Sequence, residues 1–92
     1  ALAARRITRL AFRNRFTHAE KVGIEMASRA ATAEGAAIKV YLDDVAAATY
    51  IDLDRADTRA GVQTLETAGL LNAGRALEIL DGEIQANEVY AE

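Results

Sequence analysis

Alanine stands at 21 of 92 positions and proline at none, and this pair of facts does most to limit what the chain can build. Alanine is the strongest helix former. With no proline, no helix interior loses a backbone donor. The reading is a mostly helical chain with few rigid turns. The same alanines bury little area each, and large apolar side chains are few: two Phe, three Tyr, one Met and no Trp. The core is therefore thin. A chain this long makes one small domain, for which about 0.1 kcal/mol per residue implies a stability of about 9 kcal/mol. Stabilisation by a partner is an expectation of that margin.

Helical periodicity and capping residues divide the chain. Ile7, Leu10, Ala11, Phe12 and Phe16 are the apolar positions of an arginine-rich opening. That run fits either a helical face or an extended strap, and we read it as extended, meeting the body near Phe16. Thr17-His18-Ala19-Glu20 has the form of a capping box, which starts a first helix over 18–31. Its inward stripe would be Val22, Met26 and Ala30, widened by Ala19, Gly23 and Ala27, with Ile24 off that face. A second helix over about 33–49 has Ile38, Tyr41, Leu42 and Val45 at i, i+3, i+4 and i+7. Asp57 is the expected cap of a third helix over 58–68, with Val62, Leu65 and Ala68 inward and Gly69 closing it. Asn72 would cap a fourth over 73–80, with Ala76, Leu77 and Leu80 inward, stopped by Asp81-Gly82. The fold class is thus a mainly α bundle of about four short helices. Its divisions are a basic N-terminal arm (1–16), a helical body (17–81) and an acidic C-terminal tail (82–92), the tail expected to be mobile unless bound. A brief β pairing between Ile7–Phe12 and Tyr50–Leu53 is compatible with the alternation in both stretches.

Charge is polarised along the chain. Arg5, Arg6, Arg9, Arg13 and Arg15 are unrelieved by any acid in the first sixteen residues. Glu78, Asp81, Glu83, Glu88 and Glu92 close the chain without a base. Such segregation suits docking onto another protein or onto a copy of the same chain. Beyond residue 16 the chain has 14 acids and 6 bases, which would repel a long polyanion, so nucleic acid ranks behind an acidic protein surface as the arm's target. Arginine forks pair with carboxylates, and Phe12 and Phe16 would be the interface anchors. The bland alternative is that the arm covers the chain's own acidic helices. On the docking reading, residues 1–16 are removable without loss of the helical signal.

Chemistry-bearing motifs are sparse. Without cysteine there are no disulfides, thiolate metal sites or thiol nucleophiles. His18 is the single histidine, so no histidine pair can hold a metal and no partner set makes it a general base. Asp52, Asp54 and Asp57 imitate the start of a calcium loop, but the fifth, sixth and twelfth places hold Ala56, Asp57 and Gln63. Solvated carboxylates and a helix cap account for them better. Glu20 with Glu25, and Asp43 with Asp44, fall on polar helix faces, where no cleft would separate their pKa values. The segment 58–80 has a helix-turn-helix outline, yet its second helix offers Arg75 alone beside Glu78 and Asp81. An αα-hairpin explains it as well. No cofactor is implied. No apolar run approaches a membrane span, and Ala1-Leu2-Ala3-Ala4 is too short for a signal-peptide core. The expectation is a soluble chain made in the cytoplasm.

Three stretches, ITRLAFRNRFTHAEKVGIE (7–25), ATYIDL (48–53) and DTRAGVQTLETAGLLNAGRALEIL (57–80), resemble small tailed-bacteriophage and prophage proteins encoded among tail and tail-fibre genes. Residues 29–37 are shorter and richer in Ala and Gly than in such proteins. The resemblance implies a non-enzymatic virion protein: a minor tail, baseplate or fibre-connecting component, or a fibre assembly chaperone. Its implied partners are other phage structural proteins, met in a symmetric assembly. On this reading the partner-binding residues are Arg5, Arg6, Arg9, Phe12, Arg13, Arg15 and Phe16. The competing class is a small helix-turn-helix regulator.

Overall fold

The computed structural model describes residues 4–91; Ala1-Leu2-Ala3 of the arm and Glu92 of the acidic cluster lie outside them. In chain order the elements are β1 (Arg6–Ile7), α1 (Arg9–Asn14), α2 (His18–Ser28), α3 (Ala33–Ala47), β2 (Ile51–Asp52), α4 (Ala56–Thr67), α5 (Arg75–Asp81) and a 3-10 turn at Ala86–Glu88. The fold is mainly helical, with one small two-stranded antiparallel sheet. No helix among the described residues is long and apolar enough to cross a membrane.

Threonine starts the first three helices. The hydroxyls of Thr8, Thr17 and Thr32 accept from the backbone N–H of Ala11, Glu20 and Gly35 at 3.0, 3.1 and 3.0 Å. Each bond satisfies a donor that the helix itself leaves open. At α2 the capping box is complete, because the Thr17 N–H also donates to the Glu20 carboxylate at 2.7 Å. The cap at Thr8 explains why residues 9–14 form a helix and not the extended strap read from the sequence. Helices α4 and α5 have no side-chain cap of their own. Asp57, the expected cap, lies inside the first turn of α4 and accepts from Arg55 Nε at 2.7 Å. For α5 the cap residue is Gly74 at φ +84°, not Asn72, and the Glu66 carboxylate of α4 accepts from the Ala76 N–H at 2.9 Å. Helix α4 ends on a left-handed Gly69 (φ +82°), where Gly69 N–H reaches Glu66 O and Leu70 N–H reaches Leu65 O. That double bond pattern is a Schellman closure.

Sheet pairing sets Arg6 opposite Asp52 and Ile7 opposite Ile51. This overlaps the pairing anticipated between 7–12 and 50–53 only at Ile7, because residues 9–14 are helical and the strand lies at Arg6–Ile7. The other edge of β1 is taken by the C-terminal segment: Ile7 bridges Val89, Thr8 N–H donates to Glu88 O, and Tyr90 N–H donates to Arg6 O. The segment expected to be mobile is therefore tied down, since β1 leaves backbone groups that need partners. Ile7 of β1 and Leu53, just after β2, are fully buried with Val62, Ile79 and Leu80.

Two helix faces differ from the periodic reading. On α2 the inward stripe is Ile24, Ala27 and Ser28, while Val22 and Met26 are 44 % and 70 % exposed. Helix α3 approaches the end of α2 closely: a Cβ on Gly35 would overlap the Ala30 carbonyl oxygen and come within 2.9 Å of that of Ala27. With α3 packed against it in this way, the Val22–Met26 edge of α2 faces outward. On α5 the buried set is Ala76, Ile79 and Leu80, and Leu77 faces solvent. Ile38 of α3 is buried and Tyr41, Leu42 and Val45 are half-buried along the expected stripe.

Segment 4–16 contributes Ile7, Phe12 and Phe16 to the core. Burying each is worth about 2–3 kcal/mol, and their joint loss approaches the stability of about 9 kcal/mol available to a chain this size. The expectation that these residues can be removed harmlessly is accordingly corrected: a chain starting at Thr17 should lose its cooperative thermal transition and most of its far-ultraviolet helical signal. A second outcome follows from Gly61, where a Cβ would overlap the Tyr41 ring, whose hydroxyl donates to the Thr58 carbonyl at 3.1 Å. Gly61→Ala should destabilise the fold by about 1–3 kcal/mol in urea titration, despite alanine's better helix propensity.

Candidate protein-docking interface

The arm arginines are placed by α1 and β1, and three of them end on backbone carbonyls at helix C-termini. Neither α3 nor α5 has a basic residue in its last turn, so their terminal carbonyls and negative dipole ends need cations from elsewhere. Arg9 Nη1 donates to the Ala46 carbonyl in the last turn of α3. Arg5 Nη2 donates to Leu80 O at 2.6 Å and its Nη1 pairs with Asp54 at 2.7 Å. Arg15 Nη1 donates to Ile79 O at 2.7 Å and Gly82 O at 3.0 Å. The same guanidinium forks onto Glu88 through Nε at 2.9 Å and Nη2 at 3.0 Å. The Arg15 side chain is only 8 % exposed, so removing either member of that pair would strand a buried charge at a cost of about 3 kcal/mol. Arg6 stacks its guanidinium 4.6 Å from the Tyr50 ring centroid, and Tyr50 in turn meets Tyr90 at 5.1 Å.

Of the seven residues expected to bind a partner, the structure thus engages Arg5, Arg6, Arg9 and Arg15 with the chain's own body. It also buries Phe12 and Phe16 against each other, edge to face at 5.5 Å and 80°. Arg13 is exposed and makes no hydrogen bond or ion pair to another described residue. Beside it lies Leu10, 67 % exposed.

These two residues stand on the lip of a depression of about 910 Å³ between α1, α2 and the C-terminal half of α3. Its floor is the buried core itself: Phe12, Phe16, Ile24 and Leu65, flanked by Leu42 and Val45. Its lips carry Leu10, Val22 and Met26, all three substantially exposed. Around them stand Arg9, Arg13, Lys21 and Arg29 with a single carboxylate, Glu25, which Arg29 holds at 3.2 Å. Lys21 Nζ has only a long 3.4 Å contact to Asn14 Oδ1. An apolar floor inside a cationic rim can take up an amphipathic acidic chain, the apolar side chains entering the groove and the carboxylates meeting the rim. Sequence reasoning missed this face because it placed Val22 and Met26 in the core. Gly35, where α3 meets the end of α2 with no room for a side chain, marks the contact of the two helices but not which stripe is covered.

The remaining motifs are structural. Asp52 Oδ1 accepts from the Asp54 N–H at 2.9 Å, Asp54 pairs with Arg5 and Asp57 with Arg55. Among the described residues no three His, Asp or Glu converge to hold a metal ion. In the α4–α5 hairpin, Arg75 turns inward to fork onto Glu20 at 2.9 and 3.2 Å and to reach Arg15 O at 2.7 Å. Arg59 forks onto Asp81 at 3.0 and 3.1 Å. No protein-family model, curated protein or solved structure matches this chain.

The ion pairs give the fold a dependence on acid. Hydrogen bonds from Arg15 hold the Glu88 carboxyl below its ordinary value, those from Arg59 do the same for Asp81, and at Glu20 burial pushes upward but the bonds from Arg75 and Thr17 outweigh it. A carboxyl whose pKa falls on folding adds stability above its unfolded value, near 4.5 for Glu and 3.8 for Asp, and that stability is lost as pH drops through the lower folded value. Urea unfolding should therefore give a level stability from about pH 7 to about pH 5, then a steep fall below about pH 4.5. Glu88→Gln, which leaves the buried Arg15 charge without its counter-ion, should lower the neutral plateau by about 3 kcal/mol and make the acid fall shallower. An unchanged acid limb in the variant would show that the Arg15–Glu88 clasp contributes nothing.

Proposed function

We propose that this chain is a non-enzymatic structural or adaptor protein of a phage tail, a minor tail, baseplate or fibre-connecting component, which docks on a partner protein with the outward side of α1 and α2. The observation that carries the docking part is the groove with Leu10, Val22 and Met26 on its lips. A chain with so few large apolar side chains leaves three of them together on one face, and a contiguous apolar patch of this kind marks an interaction site. The tail setting rests on the resemblance of the segments 7–25, 48–53 and 57–80. Arg13, the arm cation with no described partner, sits where an orienting ion pair would form. The internal use of the other arginines supports a rigid docking face in place of a loose strap. His18, the groove's single imidazole, is exposed and bonded to no other described side chain, which fits binding better than acid–base chemistry. The inward-turned Arg75 gives no support to base readout by α5.

The test is the composition of particles released by a bacterium that carries the coding sequence. Mass spectrometry of purified intact particles should find this chain in fixed stoichiometry with tail proteins. Replacing the gene with a Leu10→Glu, Arg13→Glu double variant should lower its incorporation at least tenfold while the free protein keeps its far-ultraviolet spectrum. Absence of the wild-type chain from particles and from assembly intermediates would overturn the reading.

A further inference from the structure

We infer that the groove between α1, α2 and the C-terminal half of α3 receives one acidic, amphipathic α-helix of a partner protein. This names the occupant of the docking face proposed above and rests on that reading.

Three observations select such an occupant. The first is the wall material. The groove is bounded by helices, whose backbone groups are bonded internally, so an extended peptide finds no ladder to join there. β1, for its part, already has β2 on one side and Ile7–Val89 pairing on the other. A helix needs only side-chain contacts, and the apolar lips with an aromatic floor provide them. Met26 adds an unbranched side chain that can reshape around an incoming residue.

The second is charge. Arg9, Arg13 and Lys21 line the groove, and among the described residues no carboxylate is paired to any of them: Arg9 ends on a neutral carbonyl and Glu25 is held by Arg29. This cationic rim belongs to a chain of net charge −3. A basic occupant would be repelled at the rim, whereas glutamates and aspartates along the flanks of a helix would meet it.

The third is how the cations are distributed. They come from two helices, Arg9 and Arg13 from α1 and Lys21 from α2, so cations without a carboxylate stand on two walls of the groove. A single carboxylate head, as on a fatty acid, would call for cations gathered at one mouth. Cations on two walls match carboxylates carried on both flanks of a helix.

The experiment uses the full chain and a fluorescein-labelled helical peptide of about fourteen residues, four turns. It has leucine at i, i+3, i+4 and i+7, and glutamate on its flanks. Fluorescence anisotropy should give a Kd in the micromolar range that weakens at least tenfold from about 50 mM to about 500 mM salt. A peptide with lysine in place of glutamate should bind at least tenfold more weakly. Leu10→Glu, Met26→Glu and Arg13→Glu each alter an exposed side chain, so their circular dichroism should match the parent while peptide affinity falls at least tenfold. Equal binding of the two peptides, or parental affinity in all three variants, overturns the inference. So does displacement of the peptide by sodium laurate at concentrations below the peptide's own Kd, which would make the groove a long-chain carboxylate site. Concentration-dependent dimerisation of the chain alone, abolished by Met26→Glu in sedimentation, would give the groove to a second copy and overturn it as well. If the peptide fails while the chain is found in particles, the docking reading stands and the choice of occupant falls. If the peptide binds and the chain is absent from particles, the occupant stands and the tail setting falls.

Discussion

Everything in this fold leans on how two helices end. Helices α3 and α5 reach their C-termini with no cation of their own in the last turn, leaving carbonyl oxygens and the negative end of the dipole unanswered. The answer comes from far away in sequence: Arg9 for α3, and Arg5 with Arg15 for α5. A guanidinium can serve several acceptors at once, because its five donors are fixed in a plane. Arg15 uses that property to the full, joining two carbonyls at the end of α5 to a carboxylate on the 3-10 turn. The polarisation of charge along the chain is, for these residues, an assembly plan for a thin core. It draws the two ends together over Ile7, Ile79 and Leu80, which a core with few large residues must keep dry.

How far the sequence disclosed this can be argued from individual residues. Local rules were legible wherever one residue settles one bond: Thr17 and Glu20 closed the capping box, Gly69 closed α4, and Val62 and Leu65 faced inward. The short pairing of the arm with residues near Tyr50 was legible from alternation. What could not be read were choices made by tertiary neighbours. Periodicity gives α2 a stripe but leaves open which of two adjacent stripes is covered, and tertiary packing buries Ile24 and Ser28 in place of Val22 and Met26. The cap of α5 comes from Glu66, on another helix, where no local pattern would look. The C-terminal acids read as a solvated tail because their partners lie more than seventy residues upstream.

The candidate site was disclosed in the same uneven way. The arm was marked by its arginines and phenylalanines, yet the geometry divides that set. Residues facing the body hold the fold together, and those facing out, Leu10 and Arg13, join Val22 and Met26 of α2 on a shared surface. The proposed docking face is thus composed of side chains that the core leaves outside. It is backed directly by the Phe12–Phe16 pair of the core.

The Arg15–Glu88 link has a kinetic side. Its partners are separated by 73 residues, and the Arg5 bond to Leu80 by 75. Helical proteins usually mature quickly because most of their contacts are local. Here the hairpins α2–α3 and α4–α5 can form early from near neighbours, but closure of the whole waits for a loop almost as long as the chain. During synthesis on the ribosome, the outer edge of Ile7 and the Arg15 guanidinium therefore stay unsheltered until Glu88 and Val89 have emerged, an interval in which a chaperone or an assembling neighbour has access to surfaces that the finished protein hides.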